Sequence, residues 1–101
     1  MNDLVAYKIL TSLEWEEFQR DQIFHGSQVD VADGYIHLST AEQLEETLQK
    51  HYSGQSNLTI ATVDLTVLGY NVRWEASRAR QLFPHIYGPL PIQAVTADIS
   101  R

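Results

Sequence analysis

Two stretches of the chain carry a histidine two residues before a serine, a spacing suited to holding a phosphate or a sugar. His37 and Ser39 would share one face of a strand, because side chains alternate with a period of two. A ring N–H and a hydroxyl could then bind one phosphate, together with amides of a helix starting near Thr40. In the simpler interpretation, Ser39 or Thr40 only caps that helix and His37 is a half-buried strand residue with one satisfied hydrogen bond.

The earlier stretch runs from His25 through Ser27 to Asp33, and we predict ligand contacts for all three residues. Its alternative role is local, because aspartates commonly stabilise turns and Asp33 precedes a glycine. The histidines and aspartates show no spacing typical of a metal site, so we predict no metal centre.

A third cluster combines arginine, glutamate and aromatic residues. Glu75 is a candidate general base or ribose ligand, and Arg78 could bind a phosphate through two parallel hydrogen bonds. Alternatively, Glu75 forms a surface salt bridge with Arg73 or Arg78, which would contribute only about 0–1 kcal/mol. The aromatic and proline residues that follow resemble a stiff pocket wall. The further candidates of this cluster are Trp74, Ser77, His85 and Tyr87.

The elements that must position these residues alternate in type along the chain. We predict strands over residues 4–10, 35–38, 58–65, 70–75 and 92–99. Residues 58–65 are apolar or threonine on both faces, as in a central strand. Residues 25–34 and 76–91 are predicted loops. The connections around residues 21–34 and 76–91 are long for a domain of this size, and loops of that length are usually functional. The order of elements predicts an α+β fold with a small split antiparallel or mixed sheet and two helices.

Both predicted helices begin with capping signals. Thr11 and Glu14 fit a capping box before a helix over residues 12–20. The second helix follows Ser39 and Thr40, with Glu42 or Gln43 reaching back to the cap. Its apolar face is predicted to contain Ala41, Leu44, Leu48 and Tyr52.

Composition limits the class of protein. The chain has 101 residues, no cysteine, and a net charge of −6, so we predict one domain over residues 1–101 and a cytoplasmic location. An acidic surface argues against binding bulk nucleic acid or an anionic membrane. Residues 73–101 nevertheless hold 4 basic and 2 acidic residues, against 3 and 11 in residues 1–72. A small phosphate-bearing ligand near residues 73–80 is therefore compatible with the charge pattern.

Several long blocks resemble the domain-of-unknown-function family 952 of small bacterial proteins. The resemblance covers essentially the whole chain, and the matching blocks are His25-Gly26-Ser27, Asp33-Gly34-Tyr35-Ile36-His37-Leu38-Ser39-Thr40, Arg73-Trp74-Glu75-x-Ser77-Arg78 and Leu82-Phe83-Pro84-His85-x-Tyr87-Gly88-Pro89. The fold implied by this resemblance is similar to that of ADP-ribosyltransferases, in which a split α+β sheet grips NAD.

The resemblance also implies a cleft with His37 and Ser39 near the ribose and with Glu75, Arg78 and His85 around it. Residues 35–39 look like the strand of tRNA 2′-phosphotransferases that use NAD. The first strand departs from such enzymes, because it offers Tyr7-Lys8 where they carry a histidine or arginine motif.

Three functions follow as hypotheses. The first is a cleft for NAD or a nucleotide phosphate, with ADP-ribosyl-transfer-like chemistry in which His37, Glu75 and His85 are the catalytic candidates. The second is a noncatalytic binding module for a small metabolite or a protein. The third is a phosphodiesterase that uses the two His-x-Ser pairs.

Overall fold

The structure is a computed structural model that describes residues 4–77 and 80–101. Within these ranges, three α-helices and eight strands are formed. The helices are α1 (Ser12–Asp21), α2 (Gln28–Asp33) and α3 (Ala41–His51). The strands are β1 (Val5–Leu10), β2 (Ile23–Phe24), β3 (Ile36–His37), β4 (Thr59–Asp64), β5 (Val72–Ala76), β6 (Leu82–Ile86), β7 (Leu90–Pro91) and β8 (Val95–Ser100). None of the helices in the described ranges is long and apolar enough to cross a membrane.

The strands form two separate three-stranded sheets and one short pair. The orders are β1-β4-β8, β3-β6-β5 and β2-β7, and every pairing is antiparallel. Tyr7 and Ser39 exchange backbone hydrogen bonds of 2.8 and 2.9 Å, which link β1 to the chain just after β3. This architecture confirms the α+β class and the central position of β4. The likeness to the ADP-ribosylation fold stays a prediction.

The two predicted capping boxes are confirmed. Thr11 caps α1 with Glu14 reaching back, and Thr40 caps α3 with Gln43 reaching back. Leu48 is buried against β1 and β4, and Leu44 packs half-buried beside it, as predicted. Ala41 is exposed instead, and the buried position in that first turn belongs to Gln43.

A third helix replaces the loop predicted over residues 25–34. Helix α2 starts at the N-cap Ser27, forms a capping box with Asp30, and ends at Gly34, whose φ is +88°. Its six residues are too few to show a helical hydrophobic period, and Val29 and Val31 are exposed. The prediction of two helices was therefore wrong, because α2 is defined by its capping residues at both ends and not by a periodic apolar face.

Strand β6 forms within the segment predicted to be irregular over residues 76–91, and it is the central strand of its sheet. Pro84 lies inside it, a residue that usually excludes a central strand. The Pro84 carbonyl accepts from the Leu38 amide at 3.1 Å, so the nitrogen of Pro84 faces the same side. Strand β3 ends at His37, so the position where Pro84 lacks an N–H lies beyond the end of β3. On the other side, the pairing of β6 with β5 is uninterrupted.

Candidate functional site

The register of the β3-β6-β5 sheet brings the predicted histidines together. His37 lies opposite His85, and His85 lies opposite Arg73 on the other neighbouring strand. The rings of His37 and His85 are 5.4 Å apart between centroids, at 67° to each other. Glu75 shares this face because it lies two residues beyond Arg73. We call this surface the histidine face; it comprises Tyr35, His37, Arg73, Glu75, His85 and Tyr87.

A carboxylate orients His85. Glu75 Oε1 lies 2.7 Å from His85 Nδ1 and accepts a 2.8 Å hydrogen bond from the Tyr87 hydroxyl. The bond from His85, and after it the bond from Tyr87, lower the pKa of Glu75, so the group stays ionised near neutral pH. The same bond raises the pKa of the Tyr87 hydroxyl. The Glu75 side chain is 36% exposed and is therefore within reach of a ligand.

Aromatic rings pack around this dyad. Tyr35 stacks on His85 with centroids 4.1 Å apart, and its ring also lies near His37 and Tyr87. The guanidinium of Arg73 lies 4.8 Å from the centre of the Tyr87 ring, within the range of a cation–π contact. Because the rings contact one another, the polar groups of the histidine face are held in fixed relative positions.

His37 contacts two carboxylates through its two ring nitrogens. Nδ1 lies 2.6 Å from Asp30 Oδ1, and Nε2 lies 2.9 Å from Asp33 Oδ2. Both nitrogens donate at once only when the ring is protonated. The two aspartates lie on opposite sides of the ring, and no group of three or more histidine and acidic side chains in the described ranges could hold a metal ion.

Asp30 fixes this arrangement from the interior. Its Oδ2 accepts from Lys8 Nζ and from the Ser27 amide, each at 2.9 Å, and its Oδ1 accepts from the His37 amide at 3.1 Å. Lys8 Nζ also donates to the His37 carbonyl at 3.0 Å. The side chains of Lys8 and Asp30 are only 6% and 2% exposed. This buried pair therefore ties β1, α2 and β3 together behind the histidine face.

The Asp30 carboxyl is expected to stay ionised well into the acid range. Burial opposes ionisation, but the hydrogen bond from His37 and the charge of Lys8 outweigh it and hold the pKa of Asp30 well below its usual range. A lowered pKa means that Asp30 contributes fully to stability above the unfolded value near 3.9, and that this contribution is lost as pH falls through the folded value. In a carboxyl ¹³C NMR titration, the Asp30 resonance should hardly move between pH 7 and about 4. A midpoint at or above about 3.9 would contradict this expectation.

Five of the predicted site residues lie together. His37, Glu75, His85 and Tyr87 are on the histidine face, and Asp33 is attached to it through His37. The predicted salt bridge of Glu75 with arginine is not the contact that orients it, because its hydrogen bonds go to His85 and Tyr87. The catalytic and ligand-binding roles of these residues remain predictions.

The hydroxyl residues predicted for the site have structural partners instead. Ser27 Oγ accepts from the Asp30 amide, and Thr40 Oγ1 accepts from the Gln43 amide, so both are helix caps. Ser39 is buried and its hydroxyl donates to Thr47 of α3. Ser27 and Ser39 thus both have partners within the protein, and the phosphodiesterase hypothesis stays a prediction.

The remaining candidates lie elsewhere. Trp74 is on the opposite face of β5, where it lines a groove of about 520 Å³ beside α3 together with Thr40. Ser77 is in the turn before β6, with its amide donating to the Gln81 carbonyl at 2.9 Å. His25 is exposed after β2. Arg78 falls outside the described residues, so its predicted role stays a prediction.

Four residues of this site were not among the predicted site residues: Lys8, Asp30, Tyr35 and Arg73. The sequence could have indicated the role of Lys8, because this lysine stands in a strand beside the apolar residues Ala6, Ile9 and Leu10, all of which are buried. A lysine among such residues is almost never buried unless it is paired.

Comparison with known proteins supports the resemblance. The family model described as "Protein of unknown function (DUF952)" matches residues 9–98. The crystal structure of protein CC0527 from Caulobacter crescentus is 45% identical, with a TM-score of 0.92 over 95% of this chain and 84% of that chain. The solution NMR structure of CC0527 has a TM-score of 0.85 at 45% identity, over 95% of this chain and 83% of that chain. No curated protein matches the chain. The chain therefore belongs to the DUF952 family of proteins of unknown function.

Proposed function

We propose that the histidine face binds a small ligand that carries phosphate and ribose, such as the ADP-ribose part of NAD. The observation that carries the proposal is the convergence of His37, His85, Glu75 and Arg73 on one sheet face. Each histidine is oriented by a carboxylate. An arrangement held by such partners is typical of sites that bind or transform a ligand rather than of sheet surfaces in general.

The phosphate would bind beside the exposed guanidinium of Arg73. Arg73 is exposed beside Tyr87, and a guanidinium can bind phosphate oxygens through two parallel N–H groups. The His37 side chain is 34% exposed on the same face, with its Nε2 beside the exposed Asp33 carboxylate.

The ribose would bind at Glu75. Both hydrogen bonds from protein side chains described for Glu75 go to Oε1, which leaves Oε2 as an acceptor for a sugar hydroxyl. The Tyr35 and Tyr87 rings beside it offer flat apolar surface for the sugar or a base. In an ADP-ribosyl-transfer-like reaction, the ionised Glu75 would stabilise positive charge at the anomeric carbon as the glycosidic bond breaks.

Titration with NAD and ADP-ribose, followed by NMR, tests the proposal. We expect shifts at His37, Glu75, His85 and Tyr87, and about tenfold weaker binding in Glu75→Gln, because hydrogen bonds to a charged group contribute about 1.5–3 kcal/mol. Glu16→Gln, which removes a charge from the exposed surface of α1, is the matched control and should bind as the wild type does.

The absence of shifts at these four residues with millimolar ligand would refute the proposal. Binding without release of nicotinamide from NAD would instead favour the second hypothesis, a noncatalytic binding module. The two readouts therefore separate ligand recognition from catalysis.

A further inference from the structure

We infer that the Asp33 carboxylate occupies the anion position of the histidine face, and that an anionic ligand binds His37 Nε2 by displacing it. The inference rests on the proposed function, because it identifies the atom that receives the ligand's phosphate and the group that competes for it. Asp33 Oδ2 lies 2.9 Å from His37 Nε2, the distance of a close contact between a carboxylate and an imidazole nitrogen.

The two carboxylates on His37 differ in how firmly they are held. Asp30 is buried and accepts from Lys8, from the Ser27 amide and from His37 itself. The Asp33 side chain is 46% exposed, and in residues 4–77 and 80–101 its ion-pair partner is His37. An exposed pair of this kind is weakly held. Asp33 is therefore the carboxylate that a ligand can replace.

The exchange requires little rearrangement. Asp33 is the last residue of α2, so its side chain can turn into water without uncovering a buried group. The Asp30 bond to Nδ1 stays in place and keeps the ring oriented. A phosphate oxygen then takes the place of the Asp33 oxygen beside Nε2, where it can accept a hydrogen bond from the ring.

The ligand class follows from the group that is replaced. A carboxylate at Nε2 marks this position as one that favours an anionic oxygen, as in a phosphate monoester or a diphosphate. Such a ligand would bring more negative charge than the aspartate it displaces, and Arg73 on the same face favours it. Asp33 is therefore expected to lower anion affinity in two ways, by occupying Nε2 and by repelling the incoming group.

Binding of inorganic phosphate and of ADP-ribose to Asp33→Asn tests the inference. We expect each to bind about tenfold more tightly to Asp33→Asn than to the wild type. Asp98→Asn is the charge-matched control, since it removes one exposed carboxylate from β8 in the other three-stranded sheet. It should change the affinity less than twofold.

A second measurement uses the unmodified protein. When phosphate is added, the Asp33 carboxyl ¹³C and the His37 Nε2 ¹⁵N resonances should move together, whereas the Asp30 carboxyl should not. An Asp33 resonance that stays in place while phosphate binds would overturn the inference, as would equal or weaker binding by Asp33→Asn.

The outcomes also separate the inference from the proposed function. If the wild type binds ADP-ribose at the histidine face and Asp33→Asn binds it no better, only the inference fails. If neither protein binds ADP-ribose or phosphate, both fail.

Discussion

Replacing Lys8 by methionine is expected to lower the free energy of unfolding by about 3–5 kcal/mol. Methionine fills most of the volume of the lysine stem but leaves the Asp30 carboxylate buried without its charged partner. It also removes the hydrogen bond to the His37 carbonyl. Urea unfolding at pH 7 measures the loss, which is a large share of the roughly 5–15 kcal/mol that stabilises a typical domain.

The matched control is Lys50→Met, at an exposed position near the end of α3. It makes the same chemical change and should cost less than about 0.5 kcal/mol. Similar losses in the two variants would show that the Lys8–Asp30 pair has no special role. If the Lys8–Asp30 pair is needed to hold His37 in position, addition of ADP-ribose should restore only a small part of the stability that Lys8→Met loses.

Lys8 thereby gives physical meaning to the departure noted in the first strand. Where ADP-ribosyl-transferring enzymes were expected to carry a histidine or arginine motif, this chain has a lysine that points inward to Asp30. Its charge is used behind the site, to fix His37, rather than at the ligand. Under the proposed function, a ligand would bind through the exposed groups of the histidine face, chiefly His37, Glu75 and Arg73.

Local signals accounted for the parts of the fold that were predicted correctly. The capping boxes at Thr11 and Thr40 each lie within four residues, and the apolar run at β4 identifies a central strand without knowledge of its partners. The sharing of one face by Arg73 and Glu75, with Trp74 on the other, follows from the strand period alone. Each of these features depends on neighbours in the sequence.

Long-range pairing decided the rest. Pro84 favoured an irregular segment over a central strand, because proline has no N–H to donate. The structure accommodates Pro84 because its nitrogen faces the chain beyond the end of the short strand β3. The Lys8–Asp30 pair joins residues 22 positions apart, and the His37–His85 contact depends on the register between β3 and β6. Spacing in the sequence could select residue types for a site, but it could not show that the Ser39 hydroxyl donates to Thr47 of α3 and not to a ligand beside His37.

Gly26→Ala is expected to lower the free energy of unfolding by about 2–4 kcal/mol, because two costs add. Gly26 has a φ of +116°, which side-chain-bearing residues rarely adopt, and a Cβ there would lie 2.8 Å from the Cβ of Asp30. Asp30 cannot easily yield, since it is bonded to Lys8, Ser27 and His37. Thermal and urea unfolding of the variant measure the effect.

Gly54→Ala separates the two costs. Gly54 also has a positive φ, of +80°, but no atom lies within 4 Å of the position that its Cβ would take. Its substitution should therefore cost only the backbone term of about 1 kcal/mol. If Gly26→Ala costs more and also shifts the His37 ring resonances, the His25-Gly26-Ser27 motif acts through the position of Asp30 rather than as a ligand contact. Equal costs at the two glycines would instead mean that Asp30 can move, and the rigid support proposed for His37 would be wrong.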